Sequence, residues 1–323
     1  MPRATLQLVA NTAGVSVSTA SRALSGRGDL SPHTRARVLA AAADLDYDRG
    51  ADGRGRPASA DPRTIELVMG RFNDHWTDQV VVGAQRAAVS VGHDLVLTVE
   101  RDDPADDWPA RIAARRSSGV VLGIIVPTAS QLAQLRQLNI PVVLLDPRSE
   151  PRGRLPSVGT TDFQGGADAA AHLVACGYEQ FVVLRSRPRY RFGRAREDGF
   201  RATIHQLTGA DVVSLESPDE LAPLVRSTSA RIGLFAVMDY LALQALDIAR
   251  AEGVSVPERL GVVGFDDDGP AEAADLTTIN QPIGAMAARA VEVAQELRAS
   301  PTAATGRIEF PTRLVVRRTT ASP

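Results

Sequence analysis

The polar residues with the clearest chemical potential recur on one face of a short predicted helix near the start of the chain. At helical spacing, the residues predicted to face outward are Val17, Ser18, Ser21 and Arg22, and those predicted to face inward are Ala20, Ala23 and Leu24. A guanidinium such as that of Arg22 can pair bidentately with the O6 and N7 atoms of guanine. This face therefore carries a group that is able to read the edge of a base.

The elements that position this face have the pattern of a helix-turn-helix. Residues 6–13 form one apolar helical face, and Gly14 suits a turn with a positive φ. Ser16 offers an oxygen to the first N–H groups of the second helix, and Ser31 begins a third helix that ends near Tyr47. The predicted apolar face of the third helix is Val38, Leu39, Ala42 and Leu45. The alternative is an ordinary helical hairpin in another small domain.

Composition indicates a globular protein with more than one domain. The chain has 323 residues, 44% of them hydrophobic and 23% charged, and its net charge of −2 gives no global signature of nucleic-acid binding. Residues 1–63 carry a net positive charge. All 36 basic residues are arginine, which points to a coding bias and lowers the weight of any arginine cluster. The single cysteine, Cys176, excludes an internal disulfide and is predicted to lie in the core.

Secretion, membrane insertion and catalysis are not indicated. No apolar run approaches the roughly 20 residues of a membrane span, and the N-terminus lacks a secretory pattern, so we expect a cytoplasmic protein. The histidines are scattered without metal-ligand spacing, and the chain has no lysine for a phosphate loop or Schiff base. We therefore expect no enzymatic activity, no cofactor and no metal site.

Residues 48–63 are predicted to form a linker between a headpiece at 1–47 and a larger unit at 64–323. The linker is rich in glycine and proline, which makes it poor helix material. The plain interpretation is a flexible tether. The alternative is that Arg54 and Arg56 enter a narrow minor groove of DNA.

From residue 64 onward, short apolar strands alternate with amphipathic helices. The predicted strands are 65–69, 95–99, 120–126, 142–145, 181–184, 212–215, 232–237 and 260–264. The predicted helices are 80–91, 132–138, 166–176, 196–207 and 241–252. This alternation predicts an α/β fold of parallel sheets flanked by helices, with ligands beyond the carboxyl ends of the strands.

The first three helices resemble the headpiece of the LacI/GalR family of transcriptional repressors. The matching residues are Thr5-Leu6, Val9-Ala10, Ala13-Gly14-Val15-Ser16, Ser18-Thr19, Ser21-Arg22, Ser31, Thr34-Arg35, Val38, Leu45 and Tyr47. The resemblance implies that the second helix enters the major groove and that Val17, Ser18 and Arg22 face base edges. It implies phosphate contacts from Thr5, Ser16, Thr19, Ser21, Ser31 and Thr34. The linker departs from the family, because it lacks the leucine that usually wedges into the minor groove.

The larger unit resembles the effector-binding core of the same family, a two-lobed fold like that of periplasmic sugar-binding proteins. The matching stretches are 157–166, Arg196 with Gly199-Phe200, Asp239 with Leu241-Ala242-Leu243, 256–258, 264–267 and 276–282. The resemblance implies chain crossings between the lobes near 158, 282 and 306. The ligand residues that it implies are Trp76, Asp162, Arg196, Asp239 and Asp266.

These ligand residues have the chemistry of a sugar site, which needs carboxylates and a guanidinium for hydroxyls and an aromatic face for C–H surface. Arg196 is predicted to begin a helix after a strand, and Asp266 follows a predicted strand. A structural role is the alternative for each, weighed about evenly for Trp76 and Asp162. The neighbouring Phe163 is interpreted as a core residue.

Two departures from the family affect the predicted ligand. Met238 stands where many relatives have an asparagine, which removes an amide that commonly holds a ligand hydroxyl. A run of arginines between residues 185 and 196 could attract a phosphorylated or carboxylated effector, although a solvated loop is the preferred interpretation.

The sequence therefore predicts a DNA-binding transcriptional regulator, specifically a repressor that binds a pseudo-palindromic operator as a homodimer. A sugar or sugar derivative in the cleft between the lobes is the predicted effector. An activator or a ligand-independent regulator of the same fold is the alternative, kept open by the linker and Met238. A solute-binding protein is a weaker rival, because it would need a secretory signal and no helix-turn-helix.

Overall fold

The computed structural model describes residues 5–24, 30–45, 47, 63–101, 107–150, 155–301 and 306–320. The chain divides into two compact units, Met1–Asp61 and Pro62–Pro323. Arg54 and Arg56 lie outside the described residues, as does almost all of the predicted linker.

The smaller unit contains short helices, and the larger unit alternates strands and helices. The helices are α1 (Leu6–Thr12), α2 (Val17–Leu24), α3 (Pro32–Asp44), α4 (His75–Ser90), α5 (Trp108–Arg115), α6 (Ala129–Gln137), α7 (Asp162–Ala175), α8 (Arg191–Thr208), α9 (Leu221–Ser227), α10 (Asp239–Ala251), α11 (Gly269–Ala273) and α12 (Ile283–Ala299). The strands are β1 (Thr64–Met69), β2 (Asp94–Val99), β3 (Gly119–Gly123), β4 (Val142–Leu145), β5 (Ser157–Thr160), β6 (Gln180–Leu184), β7 (Val212–Leu215), β8 (Ile232–Ala236), β9 (Leu260–Asp266), β10 (Thr277–Asn280), β11 (Arg307–Phe310) and β12 (Arg313–Val315).

The larger unit is built on two sheets, as the alternating pattern predicted. The first sheet has the order β11-β5-β4-β3-β1-β2, and its described strand pairs are parallel. The second has the order β12-β10-β9-β8-β6-β7 and is parallel except for β12, which runs antiparallel to β10. Each order reverses near its centre, which is where ligands bind to open parallel sheets.

The chain passes between the sheets at the turns that carry the site. It leaves the first sheet after Thr160 and returns to it after Asn280. The last passage follows Phe310, later than the position near 306 that was expected, because residues 307–310 still pair with β5 of the first sheet.

The strands that the sequence missed are short and polar. β5, β10, β11 and β12 have no apolar run of the kind that marks the predicted strands. Their hydroxyl-bearing residues, such as Ser157, Thr160, Thr277 and Thr278, are nevertheless buried. These segments are strands because they pair with neighbouring strands, and the local sequence does not reveal that pairing.

Most predicted helices begin earlier than their apolar periodicity suggested. α8 begins at Arg191, so Arg196 lies in its second turn and does not begin it. The first turns of α4 and α7 likewise precede the predicted starts, because their polar residues interrupt the apolar periodicity on which the prediction relied. The predictions named no helix after Pro282, yet α12 packs against α4 and the first sheet.

A close crossing of α7 and α8 positions the site. A Cβ atom on Gly166 would lie 1.9 Å from the carbonyl oxygen of Arg196, and one on Gly199 would lie 1.9 Å from that of Phe163. The helix backbones can touch only because glycine occupies both positions. This contact holds Arg196 beside the start of α7, where Asp162 lies.

Candidate functional site

The turn of the predicted helix-turn-helix is formed as the sequence indicated. Gly14 has a φ of +60°, the left-handed conformation that favours glycine. The N–H of Val15 donates to the carbonyl of Ala10 at 3.0 Å, which closes the turn between α1 and α2. Val9 and Ala20 are fully buried where these helices meet. One correction concerns Leu39, which is 49% exposed because small alanines of α3 fill the little core instead.

Hydroxyl side chains cap the helices of the headpiece. Thr5 accepts from the N–H of Leu8 at 3.2 Å, Ser16 from that of Thr19 at 3.1 Å, and Ser31 from that of Thr34 at 3.1 Å. The hydroxyls of Ser16 and Ser31 also hydrogen-bond to those of Thr19 and Thr34, each at 2.8 Å. The predicted phosphate-binding residues Thr5, Ser16, Thr19, Ser21, Ser31 and Thr34 are exposed or half-buried.

The outward face of α2 carries the predicted base-reading residues. Ser18 and Arg22 are exposed, and the Arg22 Nε donates a long bond of 3.4 Å to the Ser18 carbonyl. Val17 is half-buried and packs against the headpiece core, so only part of its side chain can reach a ligand.

In the larger unit, Arg196 is the centre of a buried polar cluster. Its Nε donates to Asp162 Oδ1 at 3.0 Å, and its Nη1 donates to the carbonyl of Val237 at 2.9 Å and to Asp266 Oδ1 at 3.3 Å. The guanidinium carbon lies 3.6 Å from the centre of the Phe265 ring, and the residue is only 1% exposed. Three predicted ligand residues therefore meet at one point.

Asp146 joins this cluster from the end of β4. It is 2% exposed, has a φ of +46°, and its Oδ1 has no hydrogen-bond partner among the described residues. Burial, together with the charge of nearby Asp162, raises the pKa of this carboxyl to about 7 against the opposing charges of Arg196 and Arg307.

Several other buried polar atoms around the cluster have no hydrogen-bond partner among the described residues. They are Asp162 Oδ2, Gln281 Oε1, Arg148 Nε, Arg191 Nη1 and Arg307 Nη1. Asp162 Oδ2 makes only long ion pairs, at 3.8 Å to Arg191 Nη1 and 3.6 Å to Arg307 Nη2. Buried polar groups are almost always hydrogen-bonded, so these atoms call for water or ligand groups. These atoms include both hydrogen-bond donors and acceptors. A hydroxyl group can donate and accept at once, so it can satisfy both kinds of atom.

Asp239 bonds the backbone that follows Asp266 and so stabilises the site. It is fully buried, its Oδ1 accepts from the Thr278 hydroxyl at 2.6 Å, and its Oδ2 accepts from the backbone N–H groups of Asp267 at 2.7 Å and Asp268 at 3.2 Å. Burial raises its pKa to about 6. With both oxygens used inside the protein, Asp239 holds the turn that presents Asp266.

The backbone of Asp266 is strained, and the pKa of its carboxyl is strongly shifted. Its φ is +128°, a conformation that disfavours side chains, and its Oδ1 also accepts from the Gln281 amide at 2.6 Å. Burial raises the pKa of Asp266 well above its ordinary value, although the charge of Arg196 opposes this effect.

The predicted aromatic residues lie outside this cluster of charges. Trp76, in the first turn of α4, is half-buried and packs against the core of the first sheet. The interpretation of Phe163 as a core residue is wrong, because its side chain is 52% exposed. Only the Phe163 backbone is packed, against Gly199.

Carboxylates hold part of the arginine-rich segment, whereas Arg187, Arg189 and Arg194 are exposed to solvent, as the interpretation of a solvated loop expected. Glu197, only 3% exposed, pairs with Arg185, Arg189 and Arg201. Burial alone would raise the pKa of Glu197, but the hydrogen bonds from Arg185 and Arg201 hold it below its usual value. Sequence could not indicate this pairing, since it depends on how α8 packs.

Sequence reasoning missed Asp146, Arg148, Gln281 and Arg307. Asp146 directly follows a predicted strand, which is a usable signal for the ligand edge of a sheet. Arg307 begins the unpredicted β11 and had no such signal.

The described residues contain neither a candidate metal site nor a candidate membrane span. Within that part of the chain, no group of three or more His, Cys, Asp or Glu residues could hold a metal ion. None of the described helices is long and apolar enough to cross a membrane.

A helix-turn-helix headpiece joined to a two-sheet α/β core is the organisation of a DNA-binding transcriptional regulator. Family models agree: residues 5–49 match the bacterial regulatory proteins of the lacI family, residues 63–219 match the periplasmic binding proteins and sugar binding domain of the LacI family, and residues 170–320 match the periplasmic binding protein-like domain. The chain belongs to the LacI family of bacterial regulatory proteins.

Individual relatives match over nearly their whole length. An HTH-type transcriptional regulator in the aml 5' region of Streptomyces limosus is 30% identical over 97% of this chain and 93% of its own. The ribose operon repressor of Halalkalibacterium halodurans is 28% identical over 98% and 97%. The structure of the transcriptional regulator CelR–cellobiose complex has a TM-score of 0.69 at 25% identity, covering 98% of this chain and 100% of that one.

The raised pKa of Asp146 predicts a pH-dependent stability that an Asp146→Asn variant lacks. The folded state holds this proton up to about pH 7, whereas the unfolded carboxyl loses it near its ordinary value of 3.8. The stabilisation is therefore complete below about pH 4 and is lost as the pH rises through about 7. Raising the pH from 4 to 8 should therefore lower the free energy of unfolding of the wild type by about 2–4 kcal/mol more than that of the variant.

Urea unfolding of the full chain at a series of pH values measures this difference. Asp247→Asn is the matched control, since Asp247 pairs with Arg250 on the surface and its side chain is 71% exposed. A difference between Asp146→Asn and wild type that is the same at every pH would contradict the assignment.

Proposed function

We propose that this regulator is a repressor whose operator affinity is controlled by a polyhydroxy ligand, a sugar or sugar derivative. The cluster around Arg196 carries this proposal, because buried donors and acceptors there have no hydrogen-bond partner among the described residues. A sugar hydroxyl that accepts from a guanidinium can donate to a neighbouring carboxylate, so a polyol completes both kinds of group. Buried polar atoms left incomplete would cost about 1–3 kcal/mol each.

Within this proposal, each residue has a stated role. Asp162, Arg196 and Asp266 hold ligand hydroxyls, and Asp239 positions the turn of Asp266. Trp76 supplies apolar surface from the first turn of α4. Asp146, Gln281 and Arg307 are added to the ligand residues that the sequence predicted.

The relatives support a carbohydrate. One of them is a ribose operon repressor by name, and the CelR structure is a complex with cellobiose. The proposal includes no catalytic step, since the relatives compared are regulators. Because the operator is chromosomal DNA, we place the protein in the cytoplasm.

We propose that the headpiece, residues 1–47, reads DNA through α2. Ser18 and Arg22 contact base edges, and the exposed part of Val17 can contact a thymine methyl group. The phosphate contacts come from Thr5, Ser16, Thr19, Ser21, Ser31 and Thr34, whose hydroxyls lie at or near helix N-termini. The linker is proposed to act as a tether, with contacts of Arg54 and Arg56 to the minor groove as the alternative.

Control follows from linkage between the core, residues 64–323, and the DNA site. A homodimer reads two half-sites of a pseudo-palindrome, so each headpiece must sit at the correct spacing. A ligand that favours one closure of the two lobes changes this spacing and with it the operator affinity. No enzymatic turnover is needed.

Loss of the Arg22 guanidinium should weaken specific binding more than nonspecific binding. We expect Arg22→Ala to cost about 1–3 kcal/mol on an operator selected by the wild-type protein from random duplexes. Fluorescence anisotropy at one fixed salt concentration gives both affinities. Arg250→Ala, which removes an exposed arginine of the core, is the control. An equal loss on operator and random DNA would exclude base reading by Arg22.

Ligand control is tested by joining a stability screen to DNA binding. A panel of pentoses, hexoses and disaccharides is screened for compounds that raise the melting temperature of the full chain. A compound that does so should change operator affinity by about 5- to 150-fold. Asp266→Asn should weaken that compound's binding, whereas Asp247→Asn should not. A ligand that binds without changing operator affinity would favour the ligand-independent alternative.

A further inference from the structure

Arg148 stands at the boundary between the two sheets, beside the ligand cluster. It follows β4 of the first sheet, and its guanidinium carbon lies 5.1 Å from the centre of the Tyr190 ring, which precedes α8 of the second. The carbonyl of Arg148 accepts from the backbone N–H of Arg191 at 2.8 Å. The side chain is therefore fixed next to the first turn of α8.

Arg148 differs from the other arginines of the cluster because no described carboxylate pairs with it. Arg191 pairs with Glu150 at 2.5 Å, Arg196 with Asp162 at 3.0 Å, and Arg307 with Glu309 at 2.6 Å. The Arg148 Nε is buried and has no hydrogen-bond partner in the described chain. A half-buried guanidinium in this state is stabilised when an anion reaches it.

Two further features favour an anion at the same place. The Nη1 of Arg191, the residue that begins α8, is buried without a hydrogen bond and makes only a long ion pair of 3.8 Å to Asp162 Oδ2. The N-cap residue of α8, Tyr190, makes no side-chain cap, so the positive end of this helix lacks an acidic or hydroxyl partner there. Helix N-termini attract anions through their free N–H groups and their dipole.

We propose that the ligand of the cleft is an acidic sugar, whose carboxylate or phosphate binds Arg148, Arg191 and the start of α8. Its hydroxyl groups reach the carboxylates Asp146, Asp162 and Asp266. This inference rests on the proposed function and narrows its ligand class. A neutral sugar would cover the Arg148 guanidinium without neutralising it, and burying an unpaired charge is costly.

Isothermal titration of the full chain with matched ligands tests the proposal. The panel holds five- and six-carbon aldoses together with their aldonates, uronates and terminal phosphates. We expect an acidic member to bind at least about tenfold more tightly than its neutral parent, as charge-assisted bonds allow. Preference for the carboxylates or for the phosphates identifies the anionic group.

Variants test whether Arg148 causes the tighter binding of the acidic sugars. Arg148→Met should remove the tenfold advantage of the acidic member, and Arg148→Lys should restore part of it. Arg250→Met is the control, because Arg250 is an exposed arginine of α10 that pairs with Asp247 at 2.9 Å, away from the start of α8. Thermal unfolding of each variant without ligand verifies that it is folded.

The outcomes separate this inference from the proposed function. Neutral sugars that bind as tightly as their acids would overturn the acidic ligand and leave sugar control intact. An acidic preference that survives Arg148→Met would overturn the role of Arg148. Failure of every member of the panel to bind would overturn both the acidic ligand and the polyhydroxy ligand class.

Discussion

The burial of the Arg196 guanidinium is the constraint on which the ligand edge of the core depends. A charge that is 1% exposed must be neutralised, and Asp162, Asp266 and the carbonyl of Val237 surround it. These partners come from the start of α7 and the ends of β8 and β9, so one side chain fixes several elements. Losing a partner of such a pair costs about 3–5 kcal/mol, because the remaining charge stays buried.

Backbone strain accumulates at the same edge. Ile124, Asp146 and Asp266 have φ values of +51°, +46° and +128°, and each lies at or just after the carboxyl end of a strand. A β-branched residue such as Ile124 rarely adopts a positive φ. Such strain persists only where the surrounding structure enforces it, and it is typical of ligand sites. The close crossing of α7 and α8 holds the Asp162–Arg196 pair at this edge.

Sequence predicted those features that local pattern determines. The positive φ of Gly14 and the paired sheets followed from residue type and periodicity. The resemblance to a known family named Asp162, Arg196 and Asp266, which the fold brings together. Arg307 and β11 were missed because only their pairing with β5 places them at the site. Phe163 was misjudged because an aromatic residue at an N-terminal helical turn gives no sign of which way it faces.

The proposed sugar places its hydroxyl groups on the atoms around Arg196 that have no hydrogen bond within the described protein. A crystal structure of the full chain with the sugar that most raises its melting temperature shows where that sugar binds. We expect ligand oxygens within about 2.6–3.2 Å of Asp146, Asp162 or Asp266 and of a neighbouring guanidinium. A sugar bound elsewhere, with the Arg196 cluster unchanged, would contradict it.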